Sequence, residues 1–183
     1  MLIKRNIKMN KKIEKVISGL EVDKISKVRK QVLQPLINFI QTKIDNNKEV
    51  RINFICTHNS RRSHLSQIWA QTMAVNFNIN NVKTYSGGTE ATAMFPKVGE
   101  TLTNQGFEIK KIADVNNPIY TIKFDDNSHP IIAFSKKYDD EFNPKSNFAA
   151  IMTCSHADGN CPIITGAEKR IPITYQDPKL FDN

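Results

Sequence analysis

At 183 residues and a formal net charge of +8, the chain is long enough for one α/β domain with an amino-terminal extension. Hydrophobic residues make up 39%, enough for a core, yet no apolar run reaches the length of a membrane span and Met1-Leu2-Ile3-Lys4-Arg5 lacks a signal-peptide apolar region; a cytoplasmic protein with no membrane partner is expected. The excess charge is mostly lysine, spread especially over residues 4–48 without an aromatic-interleaved basic stripe, so no nucleic-acid partner is expected, only a general pull on small anions.

In chain order, Ile13, Val16, Ile17 and Leu20 precede a second apolar set, Val28, Val32, Leu33, Leu36, Ile37, Ile40 and Ile44. The second set predicts an amphipathic helix over about 24–45, kinked at Pro35, whose stripe is a docking face without chemistry. Residues 1–48 thus read as a basic helical extension and 49–183 as an α/β domain. Asp45-Asn46-Asn47-Lys48 turns the chain into a short apolar run at 50–55, which has the length and β-branched content of a buried parallel strand and ends at Cys56. Helical spacing returns at Leu65, Ile68, Trp69, Thr72, Met73 and Phe77, predicting a helix over 63–77. Asn80-Asn81 then turns into a strand at 82–85, followed by Ser86-Gly87-Gly88. A helix over 96–105 is stopped by Gly106. Residues 118–142 are less regular: 119–124 and 130–134 alternate as strands around an Asp125-Asp126-Asn127-Ser128 hairpin turn, and Tyr138 with Asp139-Asp140-Glu141 reads as solvated loop. A second buried strand, 148–153, also ends at a cysteine, Cys154. Cys161 follows in a polar loop, 171–174 reads as the last strand, and Asp177-Pro178 lies beyond it.

The strand, polar loop and helix around Cys56 carry the chemistry. In an open α/β sheet, ligands bind at the carboxyl ends of strands. Backbone N–H groups of the loop and first helical turn have no intrahelical partner, and the helix dipole adds positive charge there, so such a site holds a tetrahedral oxyanion. Arg62, six residues after Cys56, can close the cradle with a bidentate fork. The same field favours thiolate over thiol, making Cys56 a nucleophile at neutral pH. Ser63 can donate to that sulfur or cap the helix, and Asn59 tolerates the left-handed backbone that a loop curling round an anion needs. The bland alternative is a cysteine acting as a small buried hydrophobe.

Residues Cys56-Thr57-His58-Asn59-Ser60-Arg61-Arg62-Ser63 resemble the signature loop of the low-molecular-weight tyrosine phosphatase fold, which also houses the thioredoxin-coupled arsenate reductases. The resemblance extends to Tyr85-Ser86-Gly87-Gly88, to Cys154-Ser155-His156-Ala157-Asp158-Gly159-Asn160-Cys161-Pro162 and to Asp177-Pro178, with Arg61 and His58 as departures. It implies an α/β fold with a three-layer open parallel sheet of about four strands and helices on both faces. The final helix of that fold is absent after residue 183, which suggests a truncated product and puts stability in doubt.

The resemblance further implies that Thr57, His58, Asn59, Ser60, Arg61, Arg62 and Ser63 bind the oxyanion, supported by Asn59, Ser63 and Ser86, the last acting through Asn59. Cys56 would attack arsenate, Cys154 would attack Cys56 to release arsenite, and Cys161 would close a Cys154–Cys161 disulfide for thioredoxin, with Asp177 as general acid. No metal or organic cofactor is implied, and Cys154-x6-Cys161 is too wide for a tight zinc knuckle. The alternatives are a tyrosine phosphatase working through a phosphocysteine at Cys56, and a non-enzymatic redox or anion-sensing module. Lys179, where phosphatases of this fold often place a tyrosine, leans against the former.

Overall fold

The computed structural model describes residues 9–79, 81–161 and 163–182. Asn80 of the expected turn and Pro162 of the late cysteine motif lie outside the described residues. The chain runs α1 (Lys11–Ser18), α2 (Lys27–Asp45), β1 (Val50–Cys56), α3 (Arg62–Asn76), β2 (Val82–Gly88), α4 (Pro96–Gln105), β3 (Glu108–Ala113), β4 (Ile119–Lys123), β5 (Ile131–Ala133), β6 (Phe148–Met152), α5 (Ser155–Asn160) and β7 (Ala167–Pro172), then a 3-10 turn at Pro178–Phe181.

The strands that matter to the site form one parallel sheet in the order β2-β1-β6-β7. Because side chains alternate along a strand, Val50, Ile52 and Phe54 of β1 share a face with Ala149 and Ile151 of β6 and Ile171 of β7. That face is closed by α2, through Phe39 with Val32, Leu33, Leu36 and Ile40, and by Ala70 of α3. A sheet face is therefore covered by a helix from the residues read as an extension. On the opposite face Ile55, Phe148, Ala150 and Met152 pack with Ala157 of α5, Ile164 and Tyr138. Each fully buried side chain of this size contributes roughly 1.5–3 kcal/mol of transfer free energy.

In the segment between β5 and β6, Asp139 and Glu141 are exposed as expected, but Tyr138 and Asn143 are not solvated loop. Tyr138 N–H donates to Gly88 O at 2.9 Å, Asn53 Nδ2 donates to Tyr138 O at 3.0 Å, and Asn143 Nδ2 reaches Ser86 O and Lys137 O, each at 3.1 Å. These bonds strap the segment against β1 and β2, a role that its acidic composition hides.

A second sheet, antiparallel in the order β3-β4-β5, packs with α1 and α4 against the far side of α3, where Ile13, Ile68, Leu102, Phe107 and Ile122 make a separate core. The hairpin of β4 and β5 falls where alternation predicts it. β3 is not visible in the sequence, because most of its residues are exposed and the register shifts between Lys111 and Ala113. Gly106 ends α4 with φ 106°; a Cβ there would stand 2.6 Å from the Lys12 Cβ, so the glycine lets α1 close onto that helix end.

The last strand starts earlier than expected and ends at Pro172 rather than residue 174. Its first half, Glu168-Lys169-Arg170, pairs with β6 across a register shift after Phe148 and is largely exposed, so hydrophobicity does not mark it. Ile173 and Tyr175 continue the pairing with single bonds to Met152 O and Thr153 O.

Candidate active site

Cys56 ends β1 and is buried, with its sulfur 3.1 Å from Ser63 Oγ in the first turn of α3. Asn59 holds Ser63 in place beside that sulfur. Its Oδ1 accepts from Lys136 N–H at 2.9 Å, which fixes the amide orientation, and its Nδ2 then donates to Ser63 Oγ at 2.7 Å. Ser63 Oγ thus accepts from Asn59 while it contacts Cys56 Sγ, where either group can donate. Asn59 holds φ 44°, a left-handed conformation that an Asx residue tolerates. Arg61 is the residue before α3, and no side chain caps that helix.

The loop backbone is turned inside out. The carbonyls of Cys56 and Thr57 accept from Thr89 and Glu90 N–H at 3.0 and 2.8 Å, and Ser60 O accepts from Phe95 N–H at 3.0 Å. His58 O accepts from Ser135 Oγ at 2.9 Å and Thr92 Oγ1 at 3.2 Å. With the carbonyls drawn outward, the N–H groups of residues 57–61 donate to no group among the described residues. They stand beside the unpaired first N–H groups of α3, a set of free donors, or nest, that can hold an anion. Gly88 makes room for it: a Cβ there would lie 2.6 Å from both Asn59 N and Thr57 O.

Arg62 projects over this nest to the segment after β7. Its Nη2 lies 3.0 Å from Asp177 Oδ2 and its Nη1 donates to Tyr175 O at 3.2 Å. Arg61 lies on the wall of the same cleft, with its guanidinium 3.7 Å from the centre of the Phe95 ring and 2.5 Å from Asp182 Oδ2. His58 is exposed and 3.5 Å from Glu90. The cleft above Cys56, about 530 Å³, is lined by His58, Ser60, Arg61, Arg62, Phe95 and Asp177 among others.

Of the later cysteines, Cys154 lies on the same rim, while Cys161 sits back along the sheet face, its carbonyl bonded by Arg170 opposite Ala150. Strands β1 and β6 are neighbours, so Cys154, one residue past the position opposite Cys56, comes out beside the loop. Thr57 Oγ1 is 3.5 Å from Cys154 Sγ and 3.2 Å from His156 Nδ1, and Ala157 N–H donates to Cys154 Sγ at 3.4 Å. Cys154 is buried; Cys161, at the far end of α5, is half-buried, and all three thiols are free. Among the described residues no group of three or more His, Cys, Asp or Glu side chains is placed to hold a metal ion.

Ser86 reaches a different partner from the one expected: its Oγ is 3.4 Å from His64 Nδ1, not on Asn59. The Asn59 side chain is directed to Ser63 and Lys136 instead. His64, absent from the sequence-based site, is fully buried under the loop, and Nε2 has no partner among the described residues. Burial, then the nearby Lys136 charge, push its pKa down to about 3, against a weaker pull from the Asn59 backbone. Lys136 is also buried; its Nζ donates to Phe134 O at 3.3 Å and lies over the Phe134 and Phe142 rings. Burial lowers its pKa to about 8, with Asp140 opposing. A histidine in an amphipathic helix and a lysine in an acidic loop carry no local signal of either role.

Together these features define an α/β protein whose parallel sheet presents a cysteine in a backbone anion nest at its carboxyl edge. Comparison with known proteins agrees in class. The chain is 30% identical over 128 residues to an arsenate reductase of Staphylococcus aureus, covering 69% of this chain and 77% of that one. It is 28% identical over 127 residues to an arsenate reductase of Staphylococcus epidermidis, with the same coverage. A low-molecular-weight phosphotyrosine phosphatase from Vibrio cholerae overlays 65% of each chain at 16% identity and a TM-score of 0.42, a likeness too distant to bear on the site. No family model matches the chain. The chain belongs to the arsenate reductase family. Among the described residues no helix is long and apolar enough to cross a membrane.

Proposed function

We propose that the protein reduces arsenate with Cys56 as nucleophile, Cys154 and Cys161 as a thiol relay, and thioredoxin as the reductant. The observation that carries the reading is the meeting of two cysteine-terminated parallel strands, with Thr57 Oγ1 against Cys154 Sγ beside the anion nest.

Arsenate lies on the free loop N–H groups and takes the Arg62 fork. The Cys56 thiolate attacks arsenic, and the departing oxygen leaves as water after taking a proton from Asp177. Cys154 thiolate then attacks Cys56 Sγ; the S–As bond breaks with its electron pair going to arsenic, which leaves as arsenite. Cys161 thiolate attacks Cys154, freeing Cys56, and the Cys154–Cys161 disulfide passes to a thioredoxin dithiol. No metal or organic cofactor enters the scheme, which needs the reducing cytoplasm expected from the sequence.

The last exchange sets a condition on α5. Cys154 and Cys161 flank its six residues. A rise of about 1.5 Å per residue puts their Cα atoms roughly 10 Å apart, beyond the ~4.4–6.8 Å that a disulfide spans. The helix must therefore unwind before the pair closes.

The Cys154→Ser variant tests the reading. It is expected to keep binding arsenate or phosphate, measured as protection of Cys56 from alkylation, and to lose thioredoxin-dependent arsenate turnover by at least ~1,000-fold. Undiminished turnover would rule out the relay. Hydrolysis of para-nitrophenyl phosphate by Cys154→Ser, with no arsenate reduction by the wild type, would favour the phosphatase reading instead.

A further inference from the structure

Both arginines of the loop engage the segment that carries Asp177, and they do so at different points. Arg62 holds Tyr175 O and Asp177, while Arg61 holds Asp182. Upstream, Arg29 of α2 donates to Thr174 O at 3.0 Å and lies 4.5 Å from the centre of the Tyr175 ring. Past Tyr175, the Arg62–Asp177 and Arg61–Asp182 pairs are the only hydrogen bonds or ion pairs to the rest of the protein among the described residues. Nothing apolar substitutes for them, since Leu180 and Phe181 are 72% and 73% exposed.

Binding of an oxyanion disturbs this balance. An anion in the nest draws on the Arg62 fork, in competition with Asp177 and Tyr175 O. A loop with one arginine would release the Asp177 segment at the moment its carboxyl is needed. Arg61 lines the same cleft but is engaged elsewhere. It stacks on Phe95 and points at Asp182, leaving the anion to the backbone and Arg62. We propose that Arg61 is a positioning residue, which holds residues 176–182, and with them Asp177, over the nest while Arg62 is occupied by the oxyanion. The Asp182 carboxyl fits this pairing, held below the usual range first by its hydrogen bond from Arg61. The inference deepens the proposed reaction only where Asp177 is its acid; the holding of the segment stands independently of which oxyanion is processed.

Limited trypsinolysis of the Lys179–Leu180 bond reads the segment directly, with and without saturating inorganic phosphate. Phosphate is expected to leave the wild-type bond protected, but to speed its cleavage about tenfold or more in Arg61→Ala and in Asp182→Asn. The charge-exchanged pair Arg61→Asp with Asp182→Arg should restore protection. In an Arg62→Ala background, where no ligand is required, adding Arg61→Ala should speed cleavage by the same factor. The phosphate dissociation constant should change less than ~threefold in Arg61→Ala, with kcat for arsenate falling more than KM rises. Cleavage that is no faster in the double variant than in Arg62→Ala alone overturns the proposal. A phosphate affinity lost in Arg61→Ala but kept in Asp182→Asn also overturns it, because Arg61 would then be a ligand. An inactive wild type, or an active Cys56→Ser, would sink the arsenate reading and leave the cleavage result to be judged on its own.

Discussion

The loop at residues 56–64 and the segment at 154–161 meet at the carboxyl edge of the sheet, from which the segment runs back along one face, and they are built in opposite ways. In the first, the carbonyls of Cys56, Thr57, His58 and Ser60 are all tied to the surrounding frame, and Asn59 bridges Ser63 to Lys136. In the second, a six-residue helix contributes one buried side chain, Ala157, and is tied at its carboxyl end by Arg170. Even their glycines differ: a Cβ at Gly88 would collide with backbone, while one at Gly159 would meet nothing within 4 Å. An anion nest works only if its amides are fixed before the ligand arrives. A relay thiol works only if its backbone can move. The contrast sets a heavily tied loop beside a more lightly tied segment that starts on the neighbouring strand.

The rigid half has a weak point in acid, and that is the largest effect to look for. His64 is neutral in the folded protein, with its pKa pushed from 6.5 to about 3. As pH falls below 6.5, the unfolded chain takes up a proton that the native one refuses until about pH 3. Stability should fall across that window by about 5 kcal/mol at its acid end, at ~1.36 kcal/mol for each pKa unit. A series of urea midpoints from about pH 7 to about pH 4, in the wild type and in His64→Gln, checks this. Equal slopes in the two proteins would show that some other group governs acid stability. Next in size is Gly88→Ala, whose added methyl must displace the loop. It should cost roughly 2–3 kcal/mol of stability and about 100-fold in phosphate affinity by calorimetry. An unchanged affinity would mean that the nest is less fixed than its bonds indicate.

What the sequence reveals divides along the same line. Strands that end in cysteine, the helix after the loop, and α4 at residues 96–105 are written in local periodicity and short signals, and they stand where those signals put them. The framing of the nest is not local. Thr89, Glu90, Thr92, Phe95 and Ser135 secure the loop from distant points of the chain, Thr89 from 32 residues away and Ser135 from 77, through bonds that leave no pattern in composition. Lys136 and His64 are hidden for a related reason, since charge and polarity predict exposure and only the finished packing buries them. Ser86 lies inside β2, which runs on to Gly88 rather than ending at Tyr85, and its partner, the buried His64, carries no signal in the sequence. Asp182 has no motif at all; only its approach to Arg61 marks it.

The loose half can be made looser without touching a thiol. Arg170 of β7 donates to Cys161 O at 2.9 Å, approaches Asp158 Oδ1 at 2.5 Å and also bonds the Asp158 carbonyl. These bonds fasten the end of α5 that must come free before Cys161 can reach Cys154. Arg170 lies far enough along the edge strand to leave the nest alone. In Arg170→Ala, amide exchange over residues 157–161 should rise about tenfold, the scale of one charge-assisted hydrogen bond at a partly exposed site. Phosphate protection of Cys56 should stay within ~twofold of wild type. If unwinding limits the relay, single-turnover formation of the Cys154–Cys161 disulfide should quicken alongside the exchange. Faster exchange with an unchanged rate of disulfide formation would put the slow step in the sulfur chemistry rather than in the helix. Unchanged exchange would show that Ala157, not Arg170, holds the segment, and the line between the two regions would then run through the middle of α5.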